Sequence, residues 1–215
     1  MLKIKAVIFD LDGTIADTLP LCIAAFRESI EPLIERSLSD EEIIATFGPS
    51  EEGTVKALAP DSFEEGIAGY LAAYQNLHWM CPEPFSGITT LLESLKAHDV
   101  RIAMVTGKGM HSTRISLDKF QYNKYFEHIE TGSPLGPRKT EGIRQVLKQW
   151  SDLEKKQAIY VGDAPSDIEA SKEVGIPVVS ACWAQTADAD VLKKMRPDQI
   201  FYDIPSFSKW VKATS

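Results

Sequence analysis

The sequence predicts an α/β protein: a three-layer core with a parallel sheet between helices, and a small helical domain inserted after the first strand. Two observations predict it. From residue 88 onward, short apolar runs suited to strands alternate with segments of helical period. Between the first apolar run and that alternation, residues 16–83 carry helical signals only. The expected division is therefore a core of residues 1–15 plus 84–215, with 16–83 as the insert. A chain of 215 residues has the length for one good core and a smaller second domain.

Ala6-Val7-Ile8-Phe9 reads as the first strand, running straight into Asp10. Asp17-Thr18 with Pro20 marks a helix start, and Ile23, Phe26, Ile30 and Leu33 recur at helical spacing. Ser39 followed by Glu42 has the form of a capping box. Phe63, Ile67, Tyr70, Leu71 and Tyr74 mark one face of a further helix beginning near Asp61. Pro82, Pro84 and Gly87 then break the pattern.

The alternation follows. A helix over Ile88–Leu95 precedes a strand over Val100–Val105, which ends at Thr106-Gly107. A helix over Ile115–Phe120 leads to a short strand at His128-Ile129. Ile143, Val146, Leu147 and Trp150 form the next helical face. Strands follow at Ala158–Val161, ending at Gly162-Asp163, and at Ile176–Val179.

Composition narrows the function. The net charge of −8 argues against binding a nucleic-acid backbone, and Lys155-Lys156 and Lys193-Lys194 read as solvated faces. No apolar run approaches the ~18 residues a membrane span needs. Met1–Lys5 lacks the apolar core of a signal peptide and reads as structure, so a cytoplasmic location is expected. Cys22, Cys81 and Cys182 have no metal-like spacing and read as small buried hydrophobes. The four histidines are scattered, and the four tryptophans read as core or interface packing.

Asp10 and Asp12 stand two residues apart in Asp10-Leu11-Asp12-Gly13-Thr14. Like charges ~4 Å apart repel by ~4 kcal/mol at an effective dielectric of about 20. Something positive must sit between them, or one must stay protonated. Ligands of open α/β sheets gather at the carboxyl ends of the strands. There Thr106, Asp163 and Asp167 join the pair, with Lys139 supplied by the loop Gly136-Pro137-Arg138-Lys139. Four carboxylates against one lysine call for a hard divalent cation with oxygen ligands, and Mg²⁺ fits best. Residues 132–140 are not a nucleotide P-loop, because Pro137 lacks the N–H that a phosphate cradle uses.

In order and spacing, Asp10-Leu11-Asp12-Gly13-Thr14, Thr106, Lys139 and Gly162-Asp163-Ala164-Pro165-Ser166-Asp167 resemble the motifs of the haloacid dehalogenase-like hydrolases. The resemblance is to their phosphoglycolate phosphatase-like branch, with a Rossmann-like core and a small helical cap domain. It implies Asp10 as nucleophile, forming an aspartyl-phosphate, and Asp12 as general acid and base. It implies Mg²⁺ held by Asp10, Asp163 and the backbone carbonyl of Asp12. It implies Thr106, Gly107 and Lys139 on the phosphoryl oxygens, with Asp167 supporting Lys139 or a metal-bound water. Many relatives have proline after that lysine where this chain has Thr140, so Arg138 stays open as the alternative phosphate contact. An acid at position 12 favours phosphoryl transfer over dehalogenation, since halide leaves without a proton.

The expected activity is hydrolysis of a small phosphorylated metabolite, with the cap closing over the site and Asp17 and Thr46-Phe47-Gly48-Pro49 as cap-side positions to watch. A phosphomutase using the same Asp10 is the alternative, and a phosphorylatable signalling module the more distant one. Monomer and homodimer both remain open.

Overall fold

The computed structural model describes residues 3–214. The reading of Met1 and Leu2 as structured chain lies outside them. Six strands form one parallel sheet: β1 (Ala6–Phe9), β2 (Arg101–Val105), β3 (His128–Glu130), β4 (Ala158–Gly162), β5 (Val178–Ala181) and β6 (Gln199–Phe201). Their spatial order is β3-β2-β1-β4-β5-β6, every neighbouring pair parallel. The chain lays down strands on one side of β1 and then crosses to the other. Order therefore reverses between β1 and β4, and a crevice opens at their carboxyl ends.

Helices cover both faces. Val7 and Phe9 point into one apolar cluster with α5 (Ile88–Ala97) and α10 (Ile204–Thr214). Ala6 and Ile8 point into the other, with α7 (Lys139–Gln149) and α8 (Pro165–Val174). This is the period of two expected of a strand buried on both sides. The remaining core helices are α6 (Met110–Phe120) and the short α9 (Ala189–Lys194).

The insert after β1 is helical: α1 (Leu19–Ile34), α2 (Asp40–Ile44), α3 (Glu51–Leu58) and α4 (Phe63–Asn76). Phe26 of α1 stacks on Tyr70 of α4 with ring centres 4.1 Å apart. The capping box forms, with the Glu42 N–H donating to Ser39 Oγ and the Ser39 N–H donating to Glu42 Oε2. The two chain segments crossing between core and insert run side by side, since the Phe85 N–H donates to the Ile15 carbonyl at 3.0 Å.

Some expectations shift. The strand expected at Ile176–Val179 begins at Val178, because Pro177 has no N–H to give the ladder. Lys139, expected in a loop, is the first residue of α7. Trp79 is 70% exposed and packs in no core, whereas Trp150 is fully buried. Cys22 and Cys81 are buried as expected, while Cys182 is only half-buried. None of the described helices is long and apolar enough to cross a membrane.

Candidate active site

The carboxyl ends of β1, β2 and β4 and the first residue of α7 bring Asp10, Asp12, Thr106, Gly107, Lys139 and Asp163 to one cavity of about 570 Å³. Asp167 stands behind it, wholly buried in the first turn of α8. Carboxylate oxygens of Asp10, Asp163 and Asp167 lie within 4.8 Å of one another.

Lys139 organises this cluster. Its Nζ donates to Asp10 Oδ2 at 2.6 Å and to Asp167 Oδ1 at 2.5 Å. The second oxygen of each acid is also held: Asp10 Oδ1 by the Leu11 N–H at 2.7 Å, and Asp167 Oδ2 by the Ala164 N–H at 2.9 Å. Arg138 instead turns to the Glu130 carboxylate and the Thr131 carbonyl, at the edge of the same cavity. The lysine, not the arginine, is the cation among the acids.

Charge remains in excess of compensation. Burial pushes the Asp10 carboxyl up to about 6; Lys139 opposes this, while Asp167 and Asp12 add to it. Burial, then Asp167 and Asp10, hold Asp163 well above the usual carboxylate range, although Thr14 Oγ1 donates to it at 3.2 Å. Burial works against the charge of Lys139, but Asp10 and Asp167 outweigh it and fix the ammonium form. Asp10 and Asp163 thus both resist ionisation. A divalent cation would relieve that, and oxygen donors of this kind and spacing fit a hard ion such as Mg²⁺. Gly13 keeps the place open: its φ is +72°, and a Cβ there would collide with the Asp163 carboxylate.

Asp12 faces the cap side. Its Oδ1 accepts a bond from Thr18 Oγ1, lies 3.9 Å from Cys22 Sγ and 3.5 Å from Lys108 Nζ. Thr106 Oγ1 accepts the Lys108 N–H at 3.2 Å, closing the turn after β2. The cap lies over the cavity. Phe47, Gly48 and Pro49 line it, as do Leu19, Phe26 and Tyr70, whereas Asp17 and Thr46 do not. Asp17 is therefore no lining residue, and one of its carboxylate oxygens is buried with no hydrogen-bond partner.

Two residues of the site carry no sequence signal of their own. Glu51, buried at the start of α3, accepts the Gly109 N–H at 2.6 Å and Ser112 Oγ at 2.7 Å, latching cap to core at the N-terminus of α6. In the sequence it is one of two acids opening a helix. Lys108 follows Thr106-Gly107 with no motif of its own, yet its side chain is 3% exposed. Only the cap, distant in sequence, buries it.

A parallel α/β sheet thus gathers four acids and a lysine at its carboxyl edge, beneath the helices of the insert. Residues 7–181 match the family model described as haloacid dehalogenase-like hydrolase, and the chain belongs to that family. A Caldanaerobacter subterraneus protein designated a pyrophosphatase, PpaX, is 30% identical over 217 residues, covering 98% of this chain and 96% of that one. The tyrosine-protein kinase PtkA of Mycobacterium tuberculosis is 32% identical over 83% of this chain and 62% of its own length. Among solved structures, the haloacid dehalogenase-like family protein SP0104 of Streptococcus pneumoniae superposes with a TM-score of 0.77 and 27% identity. That match covers 96% of this chain and 98% of SP0104.

Proposed function

We propose that this protein is a Mg²⁺-dependent phosphatase that hydrolyses a small phosphorylated metabolite through a phosphoryl group carried on Asp10. The single observation that carries the reading is the Asp10–Lys139–Asp167 chain of hydrogen bonds, set beside Asp163 in a lidded cavity. Lys139 holds the nucleophile in place and offsets its charge, which lowers repulsion toward a phosphate dianion. Attack of an Asp10 oxygen on phosphorus breaks the bond to the leaving oxygen. Asp12, on the cap side, gives that oxygen a proton and later takes one from the attacking water. Thr106 and Gly107 line the same cavity, and in this reading the hydroxyl and the amide bind the non-bridging oxygens.

Asp10, Asp163 and the Asp12 carbonyl would hold the metal. When bound, it supplies positive charge to the phosphoryl oxygens and to the nucleophile. Asp167, wholly buried and outside the cavity lining, serves Lys139 and the turn at Ala164 rather than the ion. The cap excludes water during transfer.

The relative designated a pyrophosphatase supports phosphoryl chemistry on a small anion, and pyrophosphate belongs on the substrate panel. The test is phosphate release from a panel of phosphomonoesters and pyrophosphate, with Mg²⁺ and with EDTA, for the native chain and Asp10→Asn. Release that needs metal and vanishes in the variant is expected. Full activity of Asp10→Asn refutes the covalent route, and isomerised ester in place of free phosphate identifies a mutase.

A further inference from the structure

Lys108 has no part in the chemistry above, yet it occupies a costly position. Its ammonium is buried at the cap–core boundary and lines the same cavity as Asp12, Cys22 and Tyr70. Around it stand Asp12 Oδ1 at 3.5 Å, Cys22 Sγ at 2.9 Å and the Tyr74 ring with its centre at 4.2 Å. Cys22 and Tyr74 offer it no negative charge near neutral pH. Burial pushes the Cys22 thiol up to about 12 and Tyr74 far above its ordinary range.

An ammonium has three donors, and a buried one needs acceptors. Among the described residues, its hydrogen-bond acceptor is a thiol sulfur, which accepts weakly. The carboxylate oxygen at 3.5 Å is beyond good hydrogen-bond length, and a ring face offers electrostatic attraction without a lone pair. Donor capacity is left over beside the cavity.

The two buried lysines divide the site. Lys139 serves Asp10 and Asp167; Lys108 sits with Asp12 against α1 of the cap. In-line displacement sets the leaving oxygen opposite the nucleophile, and so beside the acid that protonates it. The rest of that wall is largely apolar, formed by Leu19, Phe26, Phe47 and Tyr70; Thr54 and Glu51 also line it, the Glu51 oxygens being taken up by the Gly109 N–H and Ser112 Oγ. A single cation in such a wall discriminates strongly, because a neutral group leaves it unpaired there.

We propose that Lys108 is a specificity residue whose ammonium receives a second anionic group, a carboxylate or phosphate, on the leaving portion of the substrate. The inference rests on the phosphatase reading, with Asp10 and Asp12 in the roles given above. It narrows the substrate class to small phosphates whose leaving portion is itself negatively charged.

A matched pair tests it. 2-Phosphoglycolate and 2-hydroxyethyl phosphate have the same two-carbon frame and differ in a carboxylate against a neutral hydroxymethyl group. The native enzyme should show kcat/KM at least about tenfold higher for phosphoglycolate, the low end of what a hydrogen bond to a charged group supplies. Lys108→Met should lower that value roughly 10- to 100-fold more than it lowers the value for hydroxyethyl phosphate. Titration calorimetry on Asp10→Asn, with and without Lys108→Met, should show the same selective loss in affinity. Lys108→Gln repeats the comparison should the methionine variant fold poorly, and the native preference needs no variant at all. No native preference, or equal losses on both esters, overturns the assignment of Lys108. If the native chain hydrolyses no ester, the phosphatase reading falls instead, and the calorimetric comparison still decides what Lys108 binds.

Discussion

Replacing Lys139 with methionine keeps the aliphatic stem and removes the ammonium that joins two buried acids. The Asp10 and Asp167 side chains are 6% and 0% exposed, so water compensates poorly for the lost cation. Breaking a buried pair by removing one partner costs about 3–5 kcal/mol. For a chain of this length each kcal/mol moves Tm by about 2–4 °C, which gives a fall of roughly 6–20 °C in metal-free buffer. The loss should be larger at pH 8 than at pH 5, because Asp10 already sits near about 6 and escapes the penalty by taking a proton. Saturating Mg²⁺ should recover part of it, since a divalent ion at Asp10 and Asp163 supplies the missing positive charge. Thermal and urea unfolding in EDTA and in Mg²⁺, at both pH values, measure all three effects. A fall below ~1 kcal/mol in EDTA, the scale of an exposed ion pair, would show that the cluster is not built around this lysine.

Glu51→Gln keeps the shape of the cap latch and removes its charge. Charge-assisted bonds are worth ~1.5–3 kcal/mol against about 1 for neutral ones, so kcat/KM should fall roughly 2- to 30-fold, with faster proteolysis of the cap. Unchanged kinetics and proteolysis would show that closure does not depend on the latch. Gly13→Ala forces a Cβ into the Asp163 carboxylate at a φ of +72°; metal-supported activity should drop by at least about tenfold. His78 is buried among aromatic rings with Nε2 3.0 Å from Ser116 Oγ, and burial lowers its pKa below the usual 6.5. The unfolded chain therefore binds the proton more readily, and this contribution to stability is present above pH 6.5 and lost as pH falls below it. His78→Phe should flatten that part of the urea-unfolding profile between pH 7.5 and 5; an unaltered slope would contradict it.

Much of the fold was legible because the relevant signals are local. Ala6–Phe9 and Ala158–Val161 are continuous apolar runs ending in acids, as strands buried on both faces and feeding a ligand crevice must be. Ser39 and Glu42 wrote their capping box in four residues. The elements that escaped notice lack such signals. Helix α3 has Gly53 within it and buries Glu51, Thr54 and Val55, of which only Val55 is apolar, too little to show a period. Strand β6 is three residues long, and Arg196-Pro197 before it reads as a break.

The acids and Lys139 were visible as a motif series. Their hydrogen bonds span up to 149 residues of chain and emerge only when β1, β4, α7 and α8 pack. Lys108 and Glu51 belong to the site solely through tertiary contact between cap and core. Nothing beside them in the chain marks a lysine that meets Cys22 or an acid that caps α6.

The most direct measurement is chemical trapping of the phosphorylated side chain. Native protein turning over substrate with Mg²⁺ is quenched in acid, reduced with borohydride and mapped by mass spectrometry, which converts an aspartyl-phosphate into homoserine. Homoserine at position 10, absent without substrate and absent in Asp10→Asn, is the expected result. Rapid phosphate release with position 10 unmodified, or with the label on another aspartate, would contradict Asp10 as the nucleophile.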